Sequence, residues 1–171
     1  MTRVGIIYYS RSGTGRMAAE RLAQLSNWPV YEIHDEKCRA GLSGDLRCVI
    51  DTLTGRRPPI LYEGPNPDSF DHVILISPVW LRSAAAPMRT FLQRYSSEIE
   101  DYSVMCVLSG YGGLRAVDDI ATIVGKKPRF ILLLRQYDVL AGECDEALFK
   151  LKERFDGRTS DFATLEMSTV I

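Results

Sequence analysis

Strand-length apolar runs alternate with stretches of helical period along this chain, and that alternation limits its architecture more tightly than any other feature. The runs are Arg3 to Tyr9, Pro29 to His34, His72 to Ser77, Ser103 to Leu108 and Arg129 to Arg135, each short and rich in β-branched or aromatic residues. Between them, Met17 to Leu25 puts Ala18, Leu22 and Leu25 on one stripe. Ser43 to Leu53 does so with Leu46, Val49, Ile50 and Leu53 behind a Ser43 N-cap. Ala84 to Tyr95 aligns Ala84, Met88, Leu92 and Tyr95, and Leu114 to Val124 aligns Leu114, Val117, Ala121 and Val124. A last stripe, Cys144, Leu148, Leu151 and Phe155, stops before Gly157, and the tail to Ile171 has no period. Such alternation predicts an α/β fold in which a parallel sheet lies between two layers of helices.

At 171 residues the chain is expected to form one domain, with a core over about 3–155. The turn-rich segment Glu63 to Asp71 reads as a connection inside that domain. Its 21 basic and 22 acidic residues leave a net charge of -1, which gives no support to a nucleic-acid partner or an anionic membrane surface. Cys38, Cys48, Cys106 and Cys144 are scattered without a CxxC pair, so neither a metal site nor a disulfide framework is expected. The first apolar run is too short for a membrane span or a signal-peptide core, so a cytoplasmic protein is expected.

In open α/β sheets, ligands gather at the carboxyl ends of the strands, where the winding reverses. The stretches to read are therefore "SRSGTG" after the first run, "PVWLRS" after the third, "SGYGG" after the fourth and "QYD" after the fifth. The first opens a helix, and its backbone N–H groups with the hydroxyls of Ser10, Ser12 and Thr14 make an anion site; Gly13 and Gly15 let a ligand come close. It has neither GxxxxGK[ST] nor GxGxxG, which points to a monophosphate held without lysine or magnesium. Trp80 offers a flat π face where its strand ends, and Tyr111 stands among three glycines. One phosphate and two aromatics suggest a flat, phosphorylated cofactor.

The pattern "YYSRSGTGRMAAERLA", then "DHVILISPVWLRSAAAPMRTFL", then "VLSGYGG" resembles the flavodoxin-like FMN-binding family, the flavodoxins and flavodoxin-like NAD(P)H:quinone reductases, over roughly residues 3 to 155. The resemblance implies a doubly wound three-layer sandwich with a five-stranded parallel sheet of order 2-1-3-4-5. It also implies FMN bound by the loop Ser10, Arg11, Ser12, Gly13, Thr14 and Gly15, with Ser10, Ser12, Gly13 and Thr14 holding the phosphate. The isoalloxazine would lie between Pro78, Val79, Trp80 and Leu81 on one side and Ser109, Gly110, Tyr111, Gly112 and Gly113 on the other. The family loop often ends in a hydroxyl residue where this chain has Gly15, so one phosphate donor is missing, with Arg11 or Arg16 as electrostatic substitutes.

Three functions fit that resemblance: an FMN-dependent oxidoreductase taking electrons from NAD(P)H or another reductant to a quinone-like or other small acceptor, an FMN electron carrier serving a redox protein, and an interaction module without cofactor. Carriers of the family tend to be strongly acidic, which this chain is not. Arg82 and Arg115 are expected to edge the flavin, with Tyr137 on the substrate side. No nucleophile triad is visible, and His34 and His72 read as solvated or packed. The basic segment 37–59, apolar on one stripe, either covers the sheet or forms a homodimer contact.

Overall fold

The computed structural model describes residues 2–36 and 57–157. The expected helix at Ser43 to Leu53, Cys38, Cys48 and the tail from 158 lie outside those residues. Within them the order is β1 (Val4–Tyr9), α1 (Thr14–Ser26), β2 (Val30–Asp35), β3 (Ile60–Tyr62), β4 (His72–Trp80) and β5 (Ser83–Ala84). There follow α2 (Ala86–Tyr95), β6 (Tyr102–Leu108), α3 (Gly113–Val124), β7 (Ile131–Arg135), α4 (Gln136–Ala141) and α5 (Asp145–Phe155).

The parallel strands lie in the order β2-β1-β4-β6-β7, which is the expected 2-1-3-4-5 winding. Two short antiparallel strands add to it: β3 runs beside β2, and β5 folds back on the end of β4. Strands β1, β4 and β6 are buried almost throughout, because helices cover both faces of the sheet. One face packs Ile7, Leu75 and Cys106 against Met88, Phe91 and Leu92 of α2 and Val117 and Ile120 of α3. The other packs Ile6, Ile74 and Met105 against Ala18 and Leu22 of α1 and Leu148 and Leu151 of α5. Burial of the Cys106 thiol pushes its pKa up to about 12, so it is a small core residue.

The expected starts of two helices, Ala84 and Leu114, take other roles. Ala84 is not the first residue of a helix but half of β5; the helix begins two residues later, at Ala86 with Pro87 in its first turn. Leu114 is exposed, and the buried stripe of α3 runs instead through Gly113, Ala116, Val117, Ile120 and Val124.

At the amino ends of the strands, buried His72 sets Nε2 2.9 Å from Ser103 Oγ, and its Nδ1 lies 3.1 Å from Asp101 Oδ2. Arg129 holds Asp101 from outside at 2.6 Å, and the Phe155 ring packs on the imidazole. The set has the chemistry of a serine nucleophile, but Ser103 is as buried as His72, so the cluster fastens β4 to β6 and α5. Burial lowers the His72 pKa against the opposing pull of Asp101. The unfolded chain therefore takes up the proton first, and stability is complete above about pH 6.5 and lost as pH falls through the depressed value. Urea midpoints are expected to drop between about pH 7 and pH 5 in the native chain and to drop less in His72→Gln. Equal slopes would count against this role.

Candidate functional site

The carboxyl ends of the strands enclose a cavity of about 280 Å³, lined by Ser10, Arg11, Ser12, Thr14, Gly15, Pro78, Val79, Trp80, Val107, Ser109 and Gln136. It opens beside β1 and β4, between which the winding reverses.

Its floor is the link from β1 to α1. Gly13, at φ 88, turns the chain into the helix, and a Cβ there would meet nothing within 4 Å, so its need is conformational. Met17 N–H donates to Gly13 O at 2.9 Å. The amides of Thr14, Gly15 and Arg16 precede that bond, have no carbonyl one turn back and present a partial positive charge. No side chain caps this end. Ser12 Oγ and Thr14 Oγ1 lie 3.3 Å apart, and Ser10 Oγ is buried without a partner. A buried hydroxyl with no partner costs about 1–3 kcal/mol, a cost that an acceptor from outside the chain would relieve.

Gly15 has a packing reason. A Cβ there would lie 3.1 Å from Tyr9 O and 3.3 Å from Ser10 Oγ, so a hydroxyl residue would crowd the very group that faces the cavity. A glycine at this position leaves the Ser10 hydroxyl uncrowded. Of the two arginines expected to compensate, Arg11 lines the cavity. Arg16 does not: one of its nitrogens lies 2.8 Å from each oxygen of Glu32, which also accepts from Tyr8 Oη at 2.9 Å. Burial first and Glu32 second push the Tyr8 pKa up to about 12, so it stays a neutral donor.

The wall is the β4–β5 hairpin. Pro78, Val79 and Trp80, expected in a loop, continue the strand, with Val79 paired to Ala84 and Trp80 to Ser83. That leaves Leu81 and Arg82 as a two-residue turn with φ of 49° and 66°, both left-handed. Each non-glycine residue so placed costs about 1–3 kcal/mol. The surroundings hold the turn: Ser83 Oγ donates to Asp119 Oδ2 at 2.5 Å, and Ala85 N–H donates to Ser77 Oγ at 3.2 Å. Trp80 packs edge-on with Tyr9, centroids 5.8 Å apart.

Above β6, Tyr111 is 76% exposed, with the Arg82 guanidinium carbon 4.9 Å from its ring centroid. Such stacking at an exposed site returns about 0.5–1 kcal/mol, less than the turn costs. Gly112 has φ 97° and fits closely under Arg82, since a Cβ would come 2.6 Å from Arg82 Cγ. Gly113 begins α3 against Leu133, while Gly110 is open on all sides. Gly13, Leu81, Gly110, Tyr111, Gly112 and Gly113 are not among the residues that line the cavity, nor are Arg82 and Arg115, the latter exposed on α3. Tyr137 does not line the cavity; it is exposed on α4, one residue beyond Gln136.

Two lining residues were not expected. Val107 lies near the end of β6 and Ser109 just past it, two residues on, a spacing that the alternation of the run already points to one side. Gln136 directly follows β7, and its Oε1 accepts from Ser109 Oγ at 2.5 Å, joining the third and fourth loops. His34, the last residue of the expected second strand, lies within β2 and is 3.9 Å from Glu32 Oε2.

No family model matches the chain, and no curated protein does. Solved structures do. A flavoprotein from Bacteroides uniformis ATCC 8492 superposes with a TM-score of 0.74 at 17% identity, over 89% of this chain and 98% of that one. The fold is flavodoxin-like. A flavoprotein in complex with FMN from Lactobacillus acidophilus NCFM gives 0.65 at 18% identity over 83% and 98% of the two chains. An NADPH-quinone reductase from P. pentosaceus gives 0.52 at 12% over 94% and 100%. In this flavodoxin-like chain, no helix among the described residues is long and apolar enough to cross a membrane.

Proposed function

We propose that the chain binds FMN at this edge and acts as an oxidoreductase, passing electrons from NAD(P)H or another reductant to a quinone-like or other small acceptor. The observation that carries the reading is the buried, unpartnered Ser10 Oγ beside the uncapped start of α1, inside a cavity walled by Trp80. A phosphate fits that donor set: hydroxyls, free amides and Arg11, with no acidic side chain among the lining residues. The Lactobacillus acidophilus flavoprotein of the same fold is a complex with FMN.

When bound, FMN supplies the redox chemistry, taking up electrons as hydride or singly. The residues of the chain bind and orient. Ser10, Ser12, Thr14 and the first amides of α1 would hold the phosphate, Trp80 would set the ring plane, and the link from Ser109 to Gln136 would keep the far wall at fixed distance. Arg82 and Arg115 favour negative charge at the rim, which suits a reductase over a carrier. A second reading, a carrier for a redox protein, draws on exposed Leu81, Tyr111 and Leu114 around the same edge.

The test has two parts. Trp80→Ala is expected to release quenching of flavin fluorescence and to weaken FMN binding by about 0.5–1.5 kcal/mol beyond lost area. The loaded native chain is expected to oxidise NAD(P)H continuously when a quinone is supplied. Flavin binding without any NAD(P)H oxidation would transfer the assignment to the carrier, and no flavin binding would end both.

A further inference from the structure

The Leu81–Arg82 turn carries a claim beyond electron transfer itself, one that rests on the reading of this edge as a flavin site. Two adjacent non-glycine residues with left-handed φ, 49° and 66°, are an unfavourable way to close a two-residue hairpin, for which asparagine and glycine are the unstrained choice. The turn nonetheless exhibits a long cation. Arg82 is fixed on both sides, by the glycine-only backbone of Gly112 beneath it and by the Tyr111 ring 4.9 Å from its guanidinium carbon. The nearby carboxylate that faces this hairpin, Asp119, accepts from Ser83 Oγ instead, and Arg82 has no carboxylate partner among the described residues. Its face toward the cavity rim therefore keeps an unneutralised, planar donor fork beside the exposed ring. Arg115, three residues after Gly112 and exposed, adds a second positive charge in the first turn of α3.

We propose that Arg82 is the specificity-determining residue of the site, selecting planar ligands that carry a carboxylate, sulfonate or phosphate over neutral ligands of the same shape. The ring of such a ligand would lie beside Tyr111 while its anionic group takes the guanidinium fork. That anion belongs either to the electron acceptor or to the phosphates of a nicotinamide donor, and the two sources separate by probe.

Calorimetric titration of the FMN-loaded chain with naphthalene-2-sulfonate, naphthalene-2-methanol and NADP+ tests this in the native, Arg82→Gln and Arg82→Lys forms. Arg82→Gln is expected to weaken an anionic probe by about 10-fold or more, the loss of one charge-assisted pair, and to leave the neutral probe within about twofold. Arg82→Lys should recover part of the loss, and rising salt should erode the preference in the native and Arg82→Lys chains more than in Arg82→Gln. A loss confined to the sulfonate places the anion on the acceptor, and one confined to NADP+ places it on the donor; both support the proposal. Equal weakening of charged and neutral probes, or none, overturns it, because a merely structural turn would not distinguish charge. Failure of FMN to bind the native chain would instead remove the underlying reading, and the proposal with it.

Discussion

Riboflavin is expected to bind this chain at least about 100-fold more weakly than FMN, because two charge-assisted hydrogen bonds at about 1.5 kcal/mol each already give that ratio. The two ligands share the ring and the ribityl chain, so Trp80 and the Ser109 wall treat them alike. They differ only at the floor. There the start of α1 directs the Thr14, Gly15 and Arg16 amides at the cavity, and Ser10 Oγ is buried without a partner. Riboflavin leaves those groups either dry or held by water, whereas a phosphate accepts from several at once. Competition by inorganic phosphate should weaken FMN and leave riboflavin unaffected. The measurement is a flavin-fluorescence titration at fixed salt, and equal affinities would remove the phosphate site from this loop.

The same floor marks the boundary of what the sequence reveals. Hydroxyls and glycines after a buried strand announce an anion site because any residue in that place would present its amide the same way. The division of labour among them is hidden. Gly15 reads as a missing hydroxyl by the resemblance, yet a Cβ there would press on Tyr9 O at 3.1 Å and Ser10 Oγ at 3.3 Å. Arg16 reads as a phosphate ligand until β2 brings Glu32 alongside, sixteen residues on in sequence. The five parallel strands were legible since each is a separate apolar run. Their order was not, because a pattern of runs carries no neighbour information, and only the resemblance supplied it. Strand β3 is three residues long and too short to show alternation. The Leu81–Arg82 hairpin carries no glycine or asparagine, so the usual turn signal is absent and Pro78 to Trp80 look like loop. Gln136 carries no signal of its own in the sequence beside the more conspicuous Tyr137, the next residue, which does not line the cavity.

Phe91→Ala is expected to cost about 3–5 kcal/mol of stability, the range for a phenylalanine removed from a packed core. Phe91 is fully buried on α2 and meets the Tyr62 ring at 4.9 Å between centroids and the Tyr95 ring at 4.8 Å. Those partners come from different places, β3 at the sheet edge and the last turn of α2, so the residue ties an edge strand to the helix layer. Relaxation into the space is hindered because Tyr62 is itself held, its Oη donating to Pro65 O at 3.0 Å. For a chain of this size the loss corresponds to a fall in Tm of roughly 6–20 °C. The site should not notice it at low temperature. Helix α2 leaves the carboxyl edge at Ala86, and Phe91 lies past its midpoint, away from the residues that line the cavity. FMN affinity measured well below the transition is therefore expected to stay within about twofold of the native value, while the apo chain melts far earlier. If affinity and Tm fell together well below the transition, the hairpin wall and the α2 core would be one cooperative unit, and the independence of site and core argued from their separation would be wrong.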